Sequence, residues 1–444
     1  MRTTIPMSRF LPGLSLVSAL LLGACASEPG TPPPLPAAPP QGQSLAAAAA
    51  GQVIDLSQPL GGNSLAAIAV LTNPDLVALR AGEGVAEAQV FAAGLYPDPT
   101  FSLGVDVPAN GVDTTTAFAL GVGFDFAALA RRPSDIRGAQ ANLDTVRLDI
   151  AWSEWLTGEQ ARLLAARVAH LRRIKTLTAQ LRALADGEVA RALPAVSRGD
   201  LPATSLEASR LAAADAADRD RSVELQLRGA ELELNRLLGL DPAQQLQLAA
   251  PTPPLATIPP AGDLFQAAVA TRTDLAALRA AYQGSAAAVD AAELGRYPLP
   301  ALGINAARDT SDIRSIGPSV SFTLPLWNRG QGDVALARAG QDQLRANYMA
   351  RVATVRADLA AATASLEITR LQRADVAREL VPLGPLVAAN DRAAGRGDLS
   401  VAAANAARMN LLDKQIVEAT LALSIAELEI ALEISVGQPL ESIE

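Results

Sequence analysis

The chain has 444 residues, of which 50% are hydrophobic but only 3% aromatic, and its formal net charge is −9. Because alanine and leucine supply most of the apolar content, this composition favours long helices packed through small side chains. The acidic balance argues against electrostatic binding of nucleic acid, and the arginines are dispersed rather than clustered. The length allows two or three domains or one elongated, repeated architecture.

Residues 1–24 have the pattern of an export signal. Two arginines precede an apolar stretch over 11–22, which ends in Leu-Gly-Ala-Cys at 22–25. This tetrapeptide resembles the lipobox of bacterial lipoproteins, so the sequence predicts cleavage before Cys25 and acylation of its thiol, for example with palmitate. Ala26, which follows the cysteine, favours the outer membrane in the rule for such lipoproteins. The alternative is an ordinary signal peptide that leaves Cys25 as a free thiol.

Two segments are rich in proline and lack a periodic apolar pattern. Residues 25–63 are predicted to form a lipid-anchored tether followed by an arm, with the prolines concentrated before residue 44. Residues 241–262 are predicted to be a linker between two larger regions.

Four segments alternate strictly between bulky apolar and small or polar residues, which is the period of a β-strand. They lie at about 100–107, 116–126, 300–307 and 316–324. In the last of them Ile316, Val320 and Phe322 share one side, and Ser319 and Ser321 share the other. After this segment the apolar spacing changes to that of a helix.

Two helical hairpins are predicted, at about 133–238 and 330–437. Each contains the turn sequence Arg-Gly-Asp-Leu, at 198–201 and 396–399. Gly199 and Gly397 can close the first helix of each hairpin in the left-handed conformation, and Asp200 and Asp398 can cap the second.

The two halves of the chain repeat each other. At a constant offset of 198 residues, the turn sequences coincide, Phe124 corresponds to Phe322, and Gly239 corresponds to Gly437. The sequence therefore predicts an internal duplication, with repeats at 64–240 and 263–440. Each repeat reads helix, strand, strand, long helix, turn, helix.

The strands have the length and the two-faced pattern of tilted strands that cross a bilayer. Only a closed barrel satisfies strand backbone groups in lipid, and about eight strands is the usual minimum. Four strands cannot close alone, so this interpretation requires an oligomer with eight or twelve strands. The alternative is a small soluble four-stranded sheet packed on helices.

The same order of elements resembles the TolC-type outer-membrane efflux proteins, in their lipoprotein branch. The motifs are Tyr-Pro-Asp-Pro at 96–99, Tyr-Pro-Leu-Pro at 297–300 and Phe-Thr-Leu-Pro-Leu-Trp-Asn-Arg-Gly at 322–330, which is similar to the family's strand-end "PLF-x-x-G" signature. The resemblance covers residues 64–440. In the first repeat the corresponding segment lacks the proline, so the first junction between strand and helix is a degenerate copy.

The resemblance implies a mainly α protein with a membrane β-barrel part. Three chains would contribute four strands each to a 12-stranded barrel, joined to a long α-helical periplasmic tunnel. It implies a homotrimer in the bacterial outer membrane that works with a periplasmic adaptor (membrane fusion) protein and an inner-membrane transporter.

The resemblance also gives roles to single residues. At the junction between strand and helix, Pro325 would end the ladder, Trp327 would lie at the membrane interface and Gly330 would permit the bend. The turns at Gly199 and Gly397 would form the tips of the tunnel.

No catalytic or cofactor-binding pattern occurs in the sequence. His170 is the only histidine and lies within a helical segment, where a surface or tunnel-wall position is the simplest interpretation. No cluster has metal-ligand spacing, no Gly-x-Ser-x-Gly motif supports a hydrolase, and no phosphate-binding glycine loop is present. We therefore expect an exit duct that is not an enzyme; the alternative is a lipid-anchored periplasmic coiled-coil scaffold or adaptor without a pore.

Overall fold

A computed structural model describes residues 44–46, 53–110, 115–251 and 253–443. Cys25, the export signal and the proline-rich start of the tether lie outside the described residues. Two short strands, β1 (Ser44–Ala46) and β2 (Val53–Asp55), pair in antiparallel fashion. Leu56 and Leu60, which follow β2, are buried against the helices of the first repeat.

Each repeat contains a short helix, a medium helix, two strands, a very long helix and a second medium helix. The first repeat comprises α1 (Gly62–Thr72), α2 (Pro74–Gly94), β3 (Thr100–Asp106), β4 (Ala117–Asp125), α3 (Phe126–Ser197) and α4 (Ala203–Leu237). The second comprises α5 (Ala261–Thr271), α6 (Thr273–Leu294), β5 (Ala301–Arg308), β6 (Arg314–Ser321), α7 (Gln331–Arg396) and α8 (Val401–Val436). With 72 and 66 residues, α3 and α7 are about 108 Å and 99 Å long at 1.5 Å per residue.

The helices form a wall one layer thick. Helices α4 and α2 follow each other along one side of α3, while α8 and α6 follow each other along its other side, with α7 beyond them. We call α2–α4 together with α6–α8 the helical wall. The order of the strands in the larger sheet, β3-β4-β5-β6, matches the order of the helices across the wall. Strand β3 follows α2 and β4 leads into α3, while β5 follows α6 and β6 leads into α7.

Several element boundaries differ from those predicted. Helix α3 begins at Phe126 rather than at Pro133, because the Asp125 carboxylate accepts hydrogen bonds from the amides of Ala127 and Ala128 at 2.8 and 3.2 Å and caps the helix. Strand β6 spans Arg314–Ser321 instead of 316–324, since its pairing with β5 extends to the loop and stops before Phe322.

In each repeat the end of the short helix meets the end of the last helix through the same hydrogen bond, and we call this contact the joint. The Thr72 hydroxyl, at the end of α1, donates to the carbonyl of Leu238, just after α4, at 2.8 Å. The Thr271 hydroxyl, at the end of α5, donates to the carbonyl of Val436 in α8 at 2.9 Å. These hydrogen bonds satisfy carbonyls that a helix end leaves without an intrahelical donor. The duplicated joints give the predicted internal repeat a structural counterpart.

Separate leucine-rich cores surround the two joints. One is built from α1, α3 and α4 around Leu65, Leu164 and Leu234, and the other from α5, α7 and α8 around Leu264 and Leu432. A single layer of helices can bury side chains only between neighbours, so most of the wall surface remains accessible within one chain.

A buried ionic cluster strengthens the second joint. The Arg272 guanidinium donates to both carboxylate oxygens of Asp274, at 3.0 and 2.7 Å, and to the carbonyl of Ser435 at 2.7 Å. It also stacks 4.2 Å from the ring centre of Trp152 in α3, and Arg351 in α7 donates to Asp274 at 2.8 Å. Burial acts to raise the pKa of Asp274, but hydrogen bonds from the two arginines outweigh it and leave this pKa below its usual value. The cluster links α3, α6, α7 and α8.

We expect Asp274→Asn to destabilise the chain by roughly 3 kcal/mol, because the substitution leaves the buried Arg272 without its anionic partner. The free energy of unfolding of the full chain in urea measures this loss. Asp75→Asn is the matched control, since Asp75 holds the equivalent place in the first repeat but is exposed. The lowered pKa of Asp274 means that its contribution is present above about pH 4 and disappears as the pH falls through that pKa. Equal losses for the two variants would contradict this assignment.

Candidate functional site

The four long strands form one antiparallel sheet in which all neighbours along the sheet are hydrogen-bonded. Its register places bulky side chains in rows across the strands. Phe101 lies opposite Val122, which lies opposite Ile304, and Leu103 lies opposite Leu120 in the next row. The strands of the first repeat thus continue into those of the second through the pairing of β4 with β5.

One side of the sheet, here called the apolar face, carries bulky hydrophobic side chains that are exposed in the single chain. Their exposed fractions run from 40% at Leu302 to 79% at Ile316. The set is Phe101, Leu103, Val105, Phe118, Leu120, Val122, Phe124, Leu302, Ile304, Ile316 and Val320. A patch this continuous is unusual on a monomeric soluble protein and indicates contact with another chain or with lipid.

The opposite side of the sheet carries small and polar residues. They are Thr100, Ser102, Gly104, Ala119, Gly121, Gly123, Gly303, Asn305, Gly317 and Ser319. On this side, polar side chains of the neighbouring strands occupy the space beside the glycines. A Cβ atom at Gly121 would lie 2.5 Å from the Ser102 Oγ and 2.7 Å from the Asn305 Oδ1. The two faces together have the pattern of a strand with lipid on one side and water on the other.

The two junctions between strand and helix differ, as the degenerate first motif suggested. Strand β4 runs directly into α3 at Phe126, whereas residues 322–330 separate β6 from α7. Pro325 does not end the ladder, because the pairing of β6 already stops at Ser321. Trp327 is 91% exposed, and Gly330 adopts a left-handed backbone with φ of 64° directly before α7. A Cβ atom at Gly330 would lie 3.0 Å from Arg296, so both its conformation and its close contact suit glycine.

The two helical turns share one geometry at the end of the wall opposite the sheet. Gly199 and Gly397 have φ of 79° and 82°, so each closes its helix in the left-handed conformation. The expectation that Asp200 and Asp398 cap the following helices is wrong. Those helices begin three residues later, and each carboxylate instead accepts a hydrogen bond at 2.9 Å from the arginine two positions before it.

Near the turns, a polar network that the sequence did not predict connects three helices. Asn405 in α8 is buried and donates to Glu188 in α3, which also pairs with Arg191. Arg408 in α8 pairs with Asp391 in α7 at 2.9 Å. No spacing in the sequence could have indicated the contact between Asn405 and Glu188, since 217 residues separate them.

Burial also shifts the pKa of several other titratable groups of the wall. His170 in α3 is half-buried, and burial together with nearby arginines lowers its pKa, so the imidazole is uncharged at neutral pH. Burial raises the pKa of Glu159 and of Glu429, although each carboxylate pairs with an arginine. Among the described residues, no three His, Cys, Asp or Glu side chains lie together in a way that could hold a metal ion.

No single helix in the described part of the chain combines the length and the apolar character needed to cross a membrane. Only α1 and α2 taken together meet that criterion, and they are bent by 50° at the break between them.

No protein-family model matches the chain, and no curated protein matches it either. Several solved structures match the chain. The outer-membrane channel OprN superposes with a TM-score of 0.70 at 15% identity, over 94% of this chain and 100% of that one. CmeC from Campylobacter jejuni gives a TM-score of 0.70 at 15% identity, with 85% of each chain covered. VceC from Vibrio cholerae gives 0.67 at 16% identity, over 85% of this chain and 96% of that one.

The chain has the fold of an outer-membrane channel. This confirms the predicted mainly α architecture with four strands, which the resemblance to the TolC-type proteins implied. Identities of 15–16% establish the fold and not the cargo or the partners.

Replacing Val122 by arginine should disrupt membrane assembly, because Val122 lies in a middle row of the apolar face. A charge at mid-bilayer costs roughly 2–4 kcal/mol. The matched control is Gly317→Arg on the opposite face, where a Cβ atom has no neighbour within 4 Å. The measurement is the folded fraction after dilution from urea into phospholipid vesicles. Equal losses in the two variants would contradict the assignment of the faces.

Proposed function

We propose that this protein is an outer-membrane exit duct. It passively conducts substrates that a periplasmic adaptor and an inner-membrane transporter deliver to it. The observation that carries the proposal is the two-faced sheet. Its apolar face matches a lipid environment, its small and polar face suits a water-filled lumen, and the helical wall continues from the same strands.

Closure of the duct requires further copies of the chain. Strands β3 and β6 are the edges of the sheet, and unpaired edge groups cost several kcal/mol each in lipid. The helical wall has edges on the same two sides, formed by α4 and α2 on one side and by α7 on the other. Three copies would give twelve strands, a homotrimer as the TolC-type resemblance implies, and would close barrel and tunnel together.

Exposed apolar side chains on the edge helices support this closure. Such residues are numerous on α2, α4 and α7 and fewer on the inner helices α3, α6 and α8. The edge set is Val77, Leu79, Val85, Phe91, Leu211, Leu225, Leu232, Leu336, Met349, Ile368, Leu371, Val381 and Leu386. Neighbouring copies would bury this surface, and the hydrophobic gain would stabilise the trimer.

A duct of this kind is not an enzyme, and the energy for transport comes from the transporter. The similarity to the channel proteins OprN, CmeC and VceC supports this reading.

Bilayer conductance tests the proposal directly. Purified full chain should insert into planar phospholipid bilayers and give stepwise currents. The Cys25→Ser variant should stay in the membrane fraction and conduct equally, because the barrel holds without the lipid anchor that we propose at Cys25. A lipid-anchored scaffold or adaptor gives the opposite result. In that case the wild type would not conduct, and the variant would be released as a soluble monomer.

The hairpin turns are the proposed docking site for the adaptor, since they form the end of the wall farthest from the sheet. Asp398→Lys should reduce co-purification of the adaptor severalfold and leave the trimer intact, because Asp398 is exposed and pairs only locally with Arg396. Asp218→Lys on α4 is the control, as Asp218 is also exposed and pairs locally, with Arg221. Retention of the adaptor by Asp398→Lys would argue against docking at the turns.

A further inference from the structure

Two arginines lie side by side at the outer end of the sheet. Arg308 ends β5 and Arg314 begins β6, and they form the last residue pair of the ladder before the connecting loop. Like charges directly opposite each other on neighbouring strands destabilise the pair. Their placement therefore calls for an anion that compensates them.

Both arginines belong to the apolar face. Along β5 the alternation places Arg308 on the same side as Leu302 and Ile304, and along β6 it places Arg314 with Ile316 and Val320. In the same row, β3 and β4 contribute Val105 and Phe118. The row is apolar on one half of the sheet and doubly cationic on the other.

The loop compensates only one of these charges. Arg308 pairs with Asp312 at 2.6 Å. The other loop carboxylate, Asp309, accepts hydrogen bonds from the amides of Ser311 and Ile313, each at 2.9 Å. Arg314 is exposed and has no ion-pair partner among the residues that the structure describes.

The depth of this row places it at the border of the apolar region. It is the last row of the ladder and lies six residues along each strand from the row of Phe124, Leu302 and Val320. That is about 20 Å along the strand, or about 15 Å along the membrane normal for a strand tilted by about 40°. The apolar band of a membrane barrel is about 25 Å tall, and the exposed Phe322 and Leu324 extend it beyond the row of Val320 toward the helices. The helices lie at the other end of the strands, so the arginines face the headgroup region of the leaflet away from the helical wall.

We propose that Arg308 and Arg314 bind the phosphate of a lipid headgroup in that outer leaflet. This inference rests on the proposed function, which puts the apolar face in a bilayer. Guanidinium groups suit this ligand because they present paired N–H donors to two phosphate oxygens at once and carry a charge at every physiological pH. Phosphorylated lipid A is the probe with the matching chemistry.

The test compares the full chain, purified in a maltoside detergent that carries no phosphate, with and without added diphosphoryl lipid A. Bound lipid A is counted by native mass spectrometry. We expect the wild type to retain lipid A, and the double variant Arg308→Gln, Arg314→Gln to bind it about tenfold less tightly, as the loss of charge-assisted hydrogen bonds implies. Arg221→Gln on the exposed surface of α4 is the control and should bind as the wild type does.

Each other outcome overturns the inference. Equal lipid A binding by all three proteins would show that the arginines do not hold phosphate. Loss of the oligomer in lipid-free detergent by the double variant would assign the arginines to the seam between copies instead. Binding of free inorganic phosphate that competes fully with lipid A would indicate an ion site and not a lipid site. Failure of the wild type to insert in any lipid would refute the proposed function itself.

Discussion

The unpaired backbone edges of β3 and β6 are the constraint on which the rest of the structure depends. Water can satisfy such edges in a soluble sheet, but lipid cannot, and under the proposed function lipid surrounds this sheet, whose apolar face is exposed in the single chain. In the proposed duct, the edges of another copy supply the missing donors and acceptors. The helical wall has the same order and the same open sides, so the proposed closure would complete both regions.

Because each chain contains two similar repeats, the repeats would occupy nearly but not exactly equivalent positions in the proposed closed ring. Both repeats use the same threonine-to-carbonyl joint, and both close their long helices with a left-handed glycine. They differ where the sheet meets the wall, because Asp125 caps α3 at once, whereas the chain needs residues 322–330 and the turn at Gly330 to enter α7. In the proposed ring of three chains, two kinds of junction would therefore alternate, and the tunnel would have only approximate sixfold regularity.

Much of this architecture was predictable, because its signals are local and periodic. Alternation of period two located the four strands of the larger sheet, and the offset of 198 residues indicated the repeat. Contacts between distant residues were not predictable: Arg351 meets Asp274 across 77 residues, and nothing in either segment specifies the other. The cap expected at Asp398 was wrong for a local reason, since α8 begins at Val401 and the Ser400 hydroxyl accepts the capping hydrogen bond from the amide of Ala403. Cys25 lies outside the described residues, so its acylation stays a prediction.

Electron microscopy of the purified full chain in detergent tests closure most directly. We expect an elongated particle with threefold symmetry, in which a ring of twelve strands continues into a hollow helical cylinder, with β3 of each copy beside β6 of the next. A single-chain particle with both sheet edges exposed, or a ring of two copies, would contradict this expectation.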